Sequence, residues 1–214
     1  MNWQTLVSLL GGYGKAALQV SALLLSIING LMLLRFYFRD RAKLTVHPIH
    51  PEVYQWWFPL PPGEFEGSAT RSYGFIAYMA IQNSGLRKTQ LASWRLSIRT
   101  GLGKSQKLKP INMPEPSFNI GGHVKLYPVL GQQGLHLPGD TVVDAGCSTS
   151  GMVYYTYECY GGQGWDPEMT REQIDAEFQV TDGFERRAKC VVRFKRKSLE
   201  EIQSFAPGID SIRR

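Results

Sequence analysis

The sequence predicts one N-terminal transmembrane helix followed by a mainly β domain, folded as an antiparallel β-sandwich. Residues 16–34 form a long apolar block without a charged side chain. Residues 89–99 alternate between apolar and polar side chains, which is the period-two pattern of a half-buried strand. Asp182-Gly183 lies between two β-rich segments and is a common turn of β-hairpins. A small barrel is the second choice, because it also consists of short antiparallel strands.

The composition is that of a folded protein. The chain has 214 residues, of which 43% are hydrophobic and 20% are charged. This balance excludes a disordered or collagen-like chain. The formal net charge is +6, but four of these charges belong to Lys15 and residues 35–43. The rest of the chain is nearly neutral, so we expect no nucleic-acid partner.

The apolar block has the length of a membrane span. Nineteen residues of α-helix rise about 28 Å, close to the thickness of the bilayer hydrocarbon. Tyr13 precedes the block and Phe36, Tyr37 and Phe38 follow it, as aromatic side chains do at the two bilayer interfaces. The alternatives are a buried core helix and a cleaved signal peptide. Core helices rarely run so long without a charge, and no small-residue cleavage site follows Leu34. We therefore predict an uncleaved anchor.

Basic residues flank the block unequally and predict its orientation. Lys15 stands on the N-terminal side, within a short tail of residues 1–15. The C-terminal side is a basic juxtamembrane segment, residues 35–43, with four basic side chains: Arg35, Arg39, Arg41 and Lys43. Basic flanks stay in the cytoplasm. The prediction is an external N-terminus and a cytoplasmic β-domain.

One face of the predicted span carries small side chains. Ala22, Ser26 and Gly30 recur every four residues, and such faces let two helices approach closely in a bilayer. The predicted partners are accordingly the lipid bilayer and a protein, either a second copy of the helix or another membrane protein. A monomeric anchor that tolerates small residues is the alternative.

The domain predicted over residues 44–197 contains β signals almost throughout, and residues 198–214 form a short C-terminal helix and tail. Proline-rich residues 48–72 and glycine-rich residues 100–122 are predicted as loops. The capping-box spacings Thr170–Gln173 and Ser198–Glu201 each predict a short helix. The predicted strands cover residues 44–47, 73–82, 89–99, 123–127, 141–143, 152–160, 178–180 and 188–194.

Ile81-Gln82-Asn83-Ser84-Gly85, followed by Trp94-Arg95-Leu96, resembles strands B and C of immunoglobulin-like domains in small anchored bacterial proteins. The turns at Pro138-Gly139-Asp140 and Asp182-Gly183 fit the same pattern. The resemblance implies an anchored immunoglobulin-like sandwich and no particular activity.

We predict no catalytic, cofactor or metal site. Cys147, Cys159 and Cys190 contain no C-x-x-C pair, and three thiols in a cytoplasmic domain are expected to be reduced. His47 and His50 have an offset that places them on opposite faces of an extended chain. Residues 101–105 lack the first glycine of a phosphate-binding loop, and Ser148 lacks the glycine that a nucleophile elbow requires two residues later. The acidic residues of segment 166–177 are expected on a solvated helix face.

Two surface features are candidate contact sites. Arg193, Lys195 and Lys197 lie on one face of the last strand and are candidates for contact with anionic lipid headgroups. Aromatic residues of the proline-rich segment are a candidate partner patch if exposed, although packing at one end of the domain is favoured: Tyr54, Trp56, Trp57 and Phe58.

Three functions are compatible with these features. The favoured one is a membrane-anchored, non-enzymatic interaction or scaffold module. The second is a membrane-tethered sensor that binds a small ligand in an enclosed polar pocket. The third is an anchored hydrolase that uses Ser148 or the acidic segment.

Overall fold

The computed structural model describes residues 3–65, 67–99, 105–120, 123–130, 141–160 and 172–211. The chain divides into two compact units, Met1–Arg41 and Ala42–Arg214. We call the second unit the β-domain.

A single helix, α1 (Trp3–Asp40), forms the first unit. Its segment Ala17–Asp40 is long and apolar enough to cross a membrane, and its most apolar stretch is entirely unburied. The helix is longer than the predicted span, because residues 3–15 and 35–40 are helical as well. No proline interrupts the chain before Pro48, so nothing in the sequence stops the helix at the ends of the apolar block.

Strands dominate the described part of the β-domain. They are followed by a second helix, α2 (Leu199–Phe205), and a 3-10 turn, Ile209–Ser211. The strands are β1 (Leu44–Pro48), β2 (Gln55–Pro59), β3 (Gly63–Phe65), β4 (Ser68–Asn83), β5 (Thr89–Arg99), β6 (Ser105–Leu108), β7 (Pro110–Ile111), β8 (Ser117–Ile120), β9 (His123–Leu126), β10 (Thr141–Val143), β11 (Ser148–Tyr160), β12 (Gln173–Asp182) and β13 (Arg187–Arg196).

Eleven of these strands form one sheet that nearly closes into a barrel. Along the sheet the order is β10-β5-β12-β13-β2-β4-β11-β7, and β1 and β3 also pair with β4. At the open side β6 pairs with β5, β7 pairs with β11, and only Lys109 separates β6 from β7. Segment 105–111 thus links β5, near one end of the series, to β11, near the other. The short pairing of β13 with β2 is parallel, and the other pairings are antiparallel.

The barrel corresponds to the second choice of the sequence prediction, and the immunoglobulin-like sandwich is not confirmed. The decisive strands lie in segments that were predicted as loops. β2 and β3 lie within residues 55–65, and β6 and β7 lie within residues 105–111. Proline is compatible with strand ends, where its missing N–H removes no ladder bond, and Pro48, Pro59 and Pro110 each stand at a strand end.

Three other predicted elements have clear outcomes. Gln173 begins β12, so its segment is extended rather than helical, and Thr170 lies outside the described residues. The hairpin at Asp182-Gly183 is confirmed by the pairing of β12 with β13. α2 is confirmed with its capping box, in which Ser198 and Glu201 exchange side chain–backbone hydrogen bonds.

The barrel interior and its outer face are both apolar. The inner cluster includes Trp57, Phe75, Phe178 and Phe194, all fully buried. Ile76, Phe58 and Tyr154 point to the other face, where Phe205 of α2 covers them. This double burial explains why β4 reads as a nearly continuous apolar run.

A close backbone approach supports this packing. A Cβ atom at Gly74 would overlap the Phe58 ring, and that ring stacks on Tyr154 at 6.2 Å between ring centroids. Only glycine leaves room for the stack.

The antiparallel registers give the barrel two distinct ends. Leu44, Asn83, Thr89, Ser148 and Asp182 gather at the end where Ala42 begins the domain, and we call it the junction end. Pro59, Tyr160 and Arg196 mark the opposite, distal end.

Candidate functional site

The aromatic partner patch predicted from the sequence is not an exposed surface. Trp57 and Phe58 have 0% exposure. The indole N–H of Trp57 donates to the Glu172 carbonyl at 3.2 Å. Tyr54 and Trp56 are half-buried, and the Trp56 ring meets Phe205 edge-on, with 5.1 Å between centroids. These residues hold β2 between the inner core and α2, which is the packing alternative.

The basic row of β13 lies on an exposed face, but each of its side chains faces a carboxylate. Arg193 pairs with Asp175 at 2.8 Å, and Lys197 pairs with Glu201 at 3.0 Å. Lys195 pairs with Glu52. The hydrogen bond and charge of Lys195 hold the pKa of Glu52 below its usual value. The charges of the row are therefore balanced locally, and its contact with anionic lipid headgroups stays a prediction.

An open cleft of about 600 Å³ lies at the distal end. It is lined by the last part of β13 and the start of α2, including Arg196, Lys197 and Leu199, and by Pro59 and Glu172. The Arg196 guanidinium lies 5.5 Å from the centroid of the Trp57 ring. The Ser198 hydroxyl is engaged in the helix cap. The cleft therefore offers mixed charges and a small apolar surface, and these groups suit recognition of a polar chain segment better than bond-breaking chemistry.

The side chains predicted to pack or orient the anchor lie in or beside α1. Ala22, Ser26 and Gly30 are exposed, and a Cβ at Gly30 would meet no atom within 4 Å. In the basic flank, Arg39 pairs with Asp40 at 2.9 Å and stacks over Phe36, and Arg41 stacks over Phe38. Arg35 completes the helical part of the flank, and Lys43 belongs to the β-domain.

The thiols and histidines form no metal centre within the described ranges. No group of three His, Cys, Asp or Glu side chains there could hold an ion. Cys147 is exposed, Cys159 is buried and Cys190 is half-buried, and no disulfide joins any of the three. Burial raises the pKa of the Cys190 thiol to about 11. Ser148 begins β11 and does not sit on a strand-to-helix turn.

Asn83 is the most highly connected polar side chain of the junction end. It is fully buried at the end of β4. Its Oδ1 accepts from the backbone N–H of Lys43 at 3.1 Å and of Gly85 at 3.0 Å. Its Nδ2 donates to the carbonyls of Arg87 at 2.7 Å, Val143 at 3.1 Å and Asp144 at 3.3 Å. One carboxamide thus joins the first residues of the domain to two neighbouring loops.

Asp182 has the same role for the β12–β13 turn. Its side chain is fully buried, and Oδ1 accepts from the N–H groups of Phe184 at 2.9 Å and Arg186 at 2.8 Å. Oδ2 accepts from the Thr89 hydroxyl at 3.1 Å. The turn also contains Glu185 at a φ of 62°, a left-handed conformation that these hydrogen bonds help to hold.

Both networks support a set of exposed loops that sequence reasoning missed as a site. We call residues 84–88, 144–147 and 183–187 the junction loops. Leu86 is 62% exposed and Phe184 is 69% exposed at their tips. The Arg186 guanidinium lies 5.1 Å from the Phe184 ring centroid and donates to the Ala42 carbonyl at 2.9 Å. The only feature of the sequence that could have indicated the junction loops as a site was the combination of turn residues with neighbouring basic residues.

No protein-family model and no curated protein matches this chain. Among solved structures, it is similar to a Bordetella pertussis protein with the provisional name ApaA, at 15% identity and a TM-score of 0.28, covering 72% of this chain and 93% of that chain. A second structural-genomics target, SoR45, is 8% identical with a TM-score of 0.26, over 72% of this chain and 85% of that chain. At these TM-scores neither similarity bears on function.

Asn83 allows a direct test of the junction end. We expect Asn83→Asp to lower the free energy of unfolding by about 3 kcal/mol, because a carboxylate oxygen would replace the donor that faces three carbonyl oxygens. Urea unfolding followed by tryptophan fluorescence measures the change. The matched control is Gln82→Glu, the same amide-to-acid change at the exposed preceding residue, and it should leave stability nearly unchanged. Equal losses in the two variants would contradict a central role for Asn83.

Proposed function

We propose that this protein is a single-pass membrane protein whose β-domain acts as an interaction or scaffold module at the cytoplasmic face of the membrane. The observation that carries the proposal is α1. Its large apolar side chains are exposed, among them Leu18 at 72%, Leu23 at 63% and Leu33 at 70%. Water-exposed apolar surface of this extent is rare in soluble proteins and is normal for a helix in lipid.

The β-domain supports the proposal because its core is built from its own residues. Among the residues that the structure describes, the members of the inner and outer clusters all lie within residues 44–209. The apolar residues of α1 are therefore not a missing layer of that core. A lipid environment, or a second membrane helix against Ala22, Ser26 and Gly30, is the plain way to cover them.

The distal cleft is the surface that we assign to a protein partner. Its mixed charges suit a polar segment of another protein, and its open form differs from the enclosed pocket that a small-molecule sensor would need. For this reason the interaction module is favoured over the sensor. The hydrolase alternative gains no support from Ser148, which starts a strand, or from Asp175, which is paired with Arg193.

Membrane insertion can be tested by placing charge in α1. We expect the wild-type protein to resist carbonate extraction from membranes. Leu24→Lys with Ile28→Lys should release most of it, because each charged residue near the centre of a span costs about 2.5–3.5 kcal/mol. Val53→Lys with Val191→Lys is the control, since it places the same charges at exposed apolar sites of the β-domain. Carbonate release of the wild-type protein would refute the anchor.

Orientation can be tested with the native thiols. A membrane-impermeant maleimide at neutral pH should modify Cys147, because Cys159 is buried and a pKa of about 11 leaves Cys190 almost entirely protonated. With the domain in the cytoplasm, labelling should require permeabilised cells. Labelling of Cys147 on intact cells would reverse the proposed orientation.

The partner surface can be tested by affinity purification of the full chain from detergent-solubilised membranes. We expect a specific protein to co-purify, and Lys195→Glu with Lys197→Glu to reduce its recovery about tenfold, equivalent to ~1.4 kcal/mol of binding free energy. Lys107→Glu with Lys109→Glu changes the net charge equally at exposed positions outside the cleft. Equal recovery with both variants would exclude the cleft, and no specific protein with the wild type would refute the module.

A further inference from the structure

We propose that the junction loops dock on anionic lipid headgroups and hold the β-domain against the bilayer. The inference rests on the proposed membrane anchoring and adds a second contact with the membrane. It concerns residues at the end of the domain opposite to the basic row of β13.

The position of the loops follows from chain connectivity. The apolar block ends at Leu34, α1 ends at Asp40, and only Arg41 precedes Ala42. Seven residues of roughly helical rise cover about 10 Å, whereas one headgroup layer is about 5–8 Å thick. If α1 spans the bilayer, Ala42 must emerge at the outer limit of the headgroups.

Two apolar side chains at the loop tips suit insertion into this layer. Leu86 and Phe184 are among the most exposed large apolar residues of the domain, at 62% and 69%. One guanidinium connects Phe184 to the start of the β-domain. The Arg186 guanidinium contacts the Phe184 ring and donates to the Ala42 carbonyl. The tips are preorganised, because Asn83 and Asp182 already hold the loop backbones, so little conformational entropy is lost on docking.

The charge of the junction end favours anionic lipid. Five basic side chains surround the tips, and the acidic ones are Asp144, Glu185 and the buried Asp182, which faces Arg186. Lys88 and Arg187, the first residue of β13, are exposed and, unlike the row farther along β13, have an excess of basic neighbours. The basic residues are Lys43, Arg87, Lys88, Arg186 and Arg187.

The experiment uses the full chain in vesicles, with bimane on Cys147 as the probe. Cys147 belongs to the junction loops, and its carbonyl accepts from the Asn83 N–H at 2.9 Å. Nitroxide groups on the lipid headgroups quench bimane only at short range, so a dependence of quenching on anionic lipid and on the loop side chains reports docking rather than tethering. We expect strong quenching in mixed phosphatidylcholine and phosphatidylglycerol vesicles and weaker quenching in phosphatidylcholine alone.

Two pairs of variants separate the apolar and the charged contributions. Leu86→Ser with Phe184→Ser should abolish most quenching, whereas Val53→Ser with Val191→Ser, also exposed apolar positions, should not. Lys88→Glu with Arg187→Glu should weaken docking by at least about fivefold for each basic residue replaced. Lys107→Glu with Lys109→Glu makes the same change in net charge and should have no effect.

The outcomes separate this inference from the proposed function. Flotation and carbonate resistance of each sample show whether α1 is inserted. An inserted protein whose quenching is weak, or equal in test and control variants, overturns docking and leaves the anchor intact. Quenching that depends on the protein-to-lipid ratio instead of phosphatidylglycerol also overturns it, because a second copy of the chain would then cover the loops.

Discussion

The arrangement of the junction end depends on one buried carboxamide. Asn83 closes the longest strand of the barrel, and its side chain accepts from the Lys43 N–H near the start of the domain and donates to the carbonyls of Arg87 and Asp144 in two loops. No other residue type offers two donors and an accepting oxygen on so short a side chain. Asp182 organises the adjacent turn, and the Thr89 hydroxyl joins that turn to β5. From the same turn the Arg186 guanidinium donates to the Ala42 carbonyl, so the first residue of the β-domain is tied to the barrel. The way in which the chain enters the domain is therefore part of the fold.

β2 and β4 stabilise the barrel because side chains on both faces of these strands are buried. Alternate residues of these strands supply the interior and the layer under α2, as the neighbours Trp57 and Phe58 show. Such strands tolerate little substitution, and a glycine at residue 74 is required where the Phe58 ring crosses the backbone. A domain with two filled cores has no need of the apolar surface of α1. Because the cores of the β-domain do not account for the apolar surface of α1, the proposed membrane role is the simplest physical explanation of that surface.

Strong local patterns could be predicted from the sequence, and long-range pairings could not. The alternation of residues 89–99, the Asp182-Gly183 turn and the Ser198–Glu201 box all specify structure within a few residues, and each was found. β2 was missed because Pro59 and the prolines on either side of the strand suggest a loop, and only its pairing with β4 and β13 makes it a strand. The choice between sandwich and barrel depends on the same pairings.

For the candidate site, the periodicity of β13 correctly predicted that its basic row is exposed. It could not predict that carboxylates from β12, from the segment before β2 and from α2 neutralise the row. The junction loops come from three distant segments, so no local pattern could assemble them.

The two ends of the barrel differ in their charges and exposed surfaces, and we assign them different contacts. At the distal end, ion pairs balance the basic row, and a cleft remains open beside it. At the junction end, basic side chains and two apolar tips share one surface with fewer acidic neighbours. β13 runs from one end to the other over ten residues, a length of about 33 Å. If the junction loops rest on the headgroups, the cleft stands well outside the lipid layer, within reach of a partner that is itself free in the aqueous phase. A tether alone would leave the cleft free to turn toward any direction, including the membrane. Docking at the opposite end would fix its height and direction, which is the property that a scaffold requires.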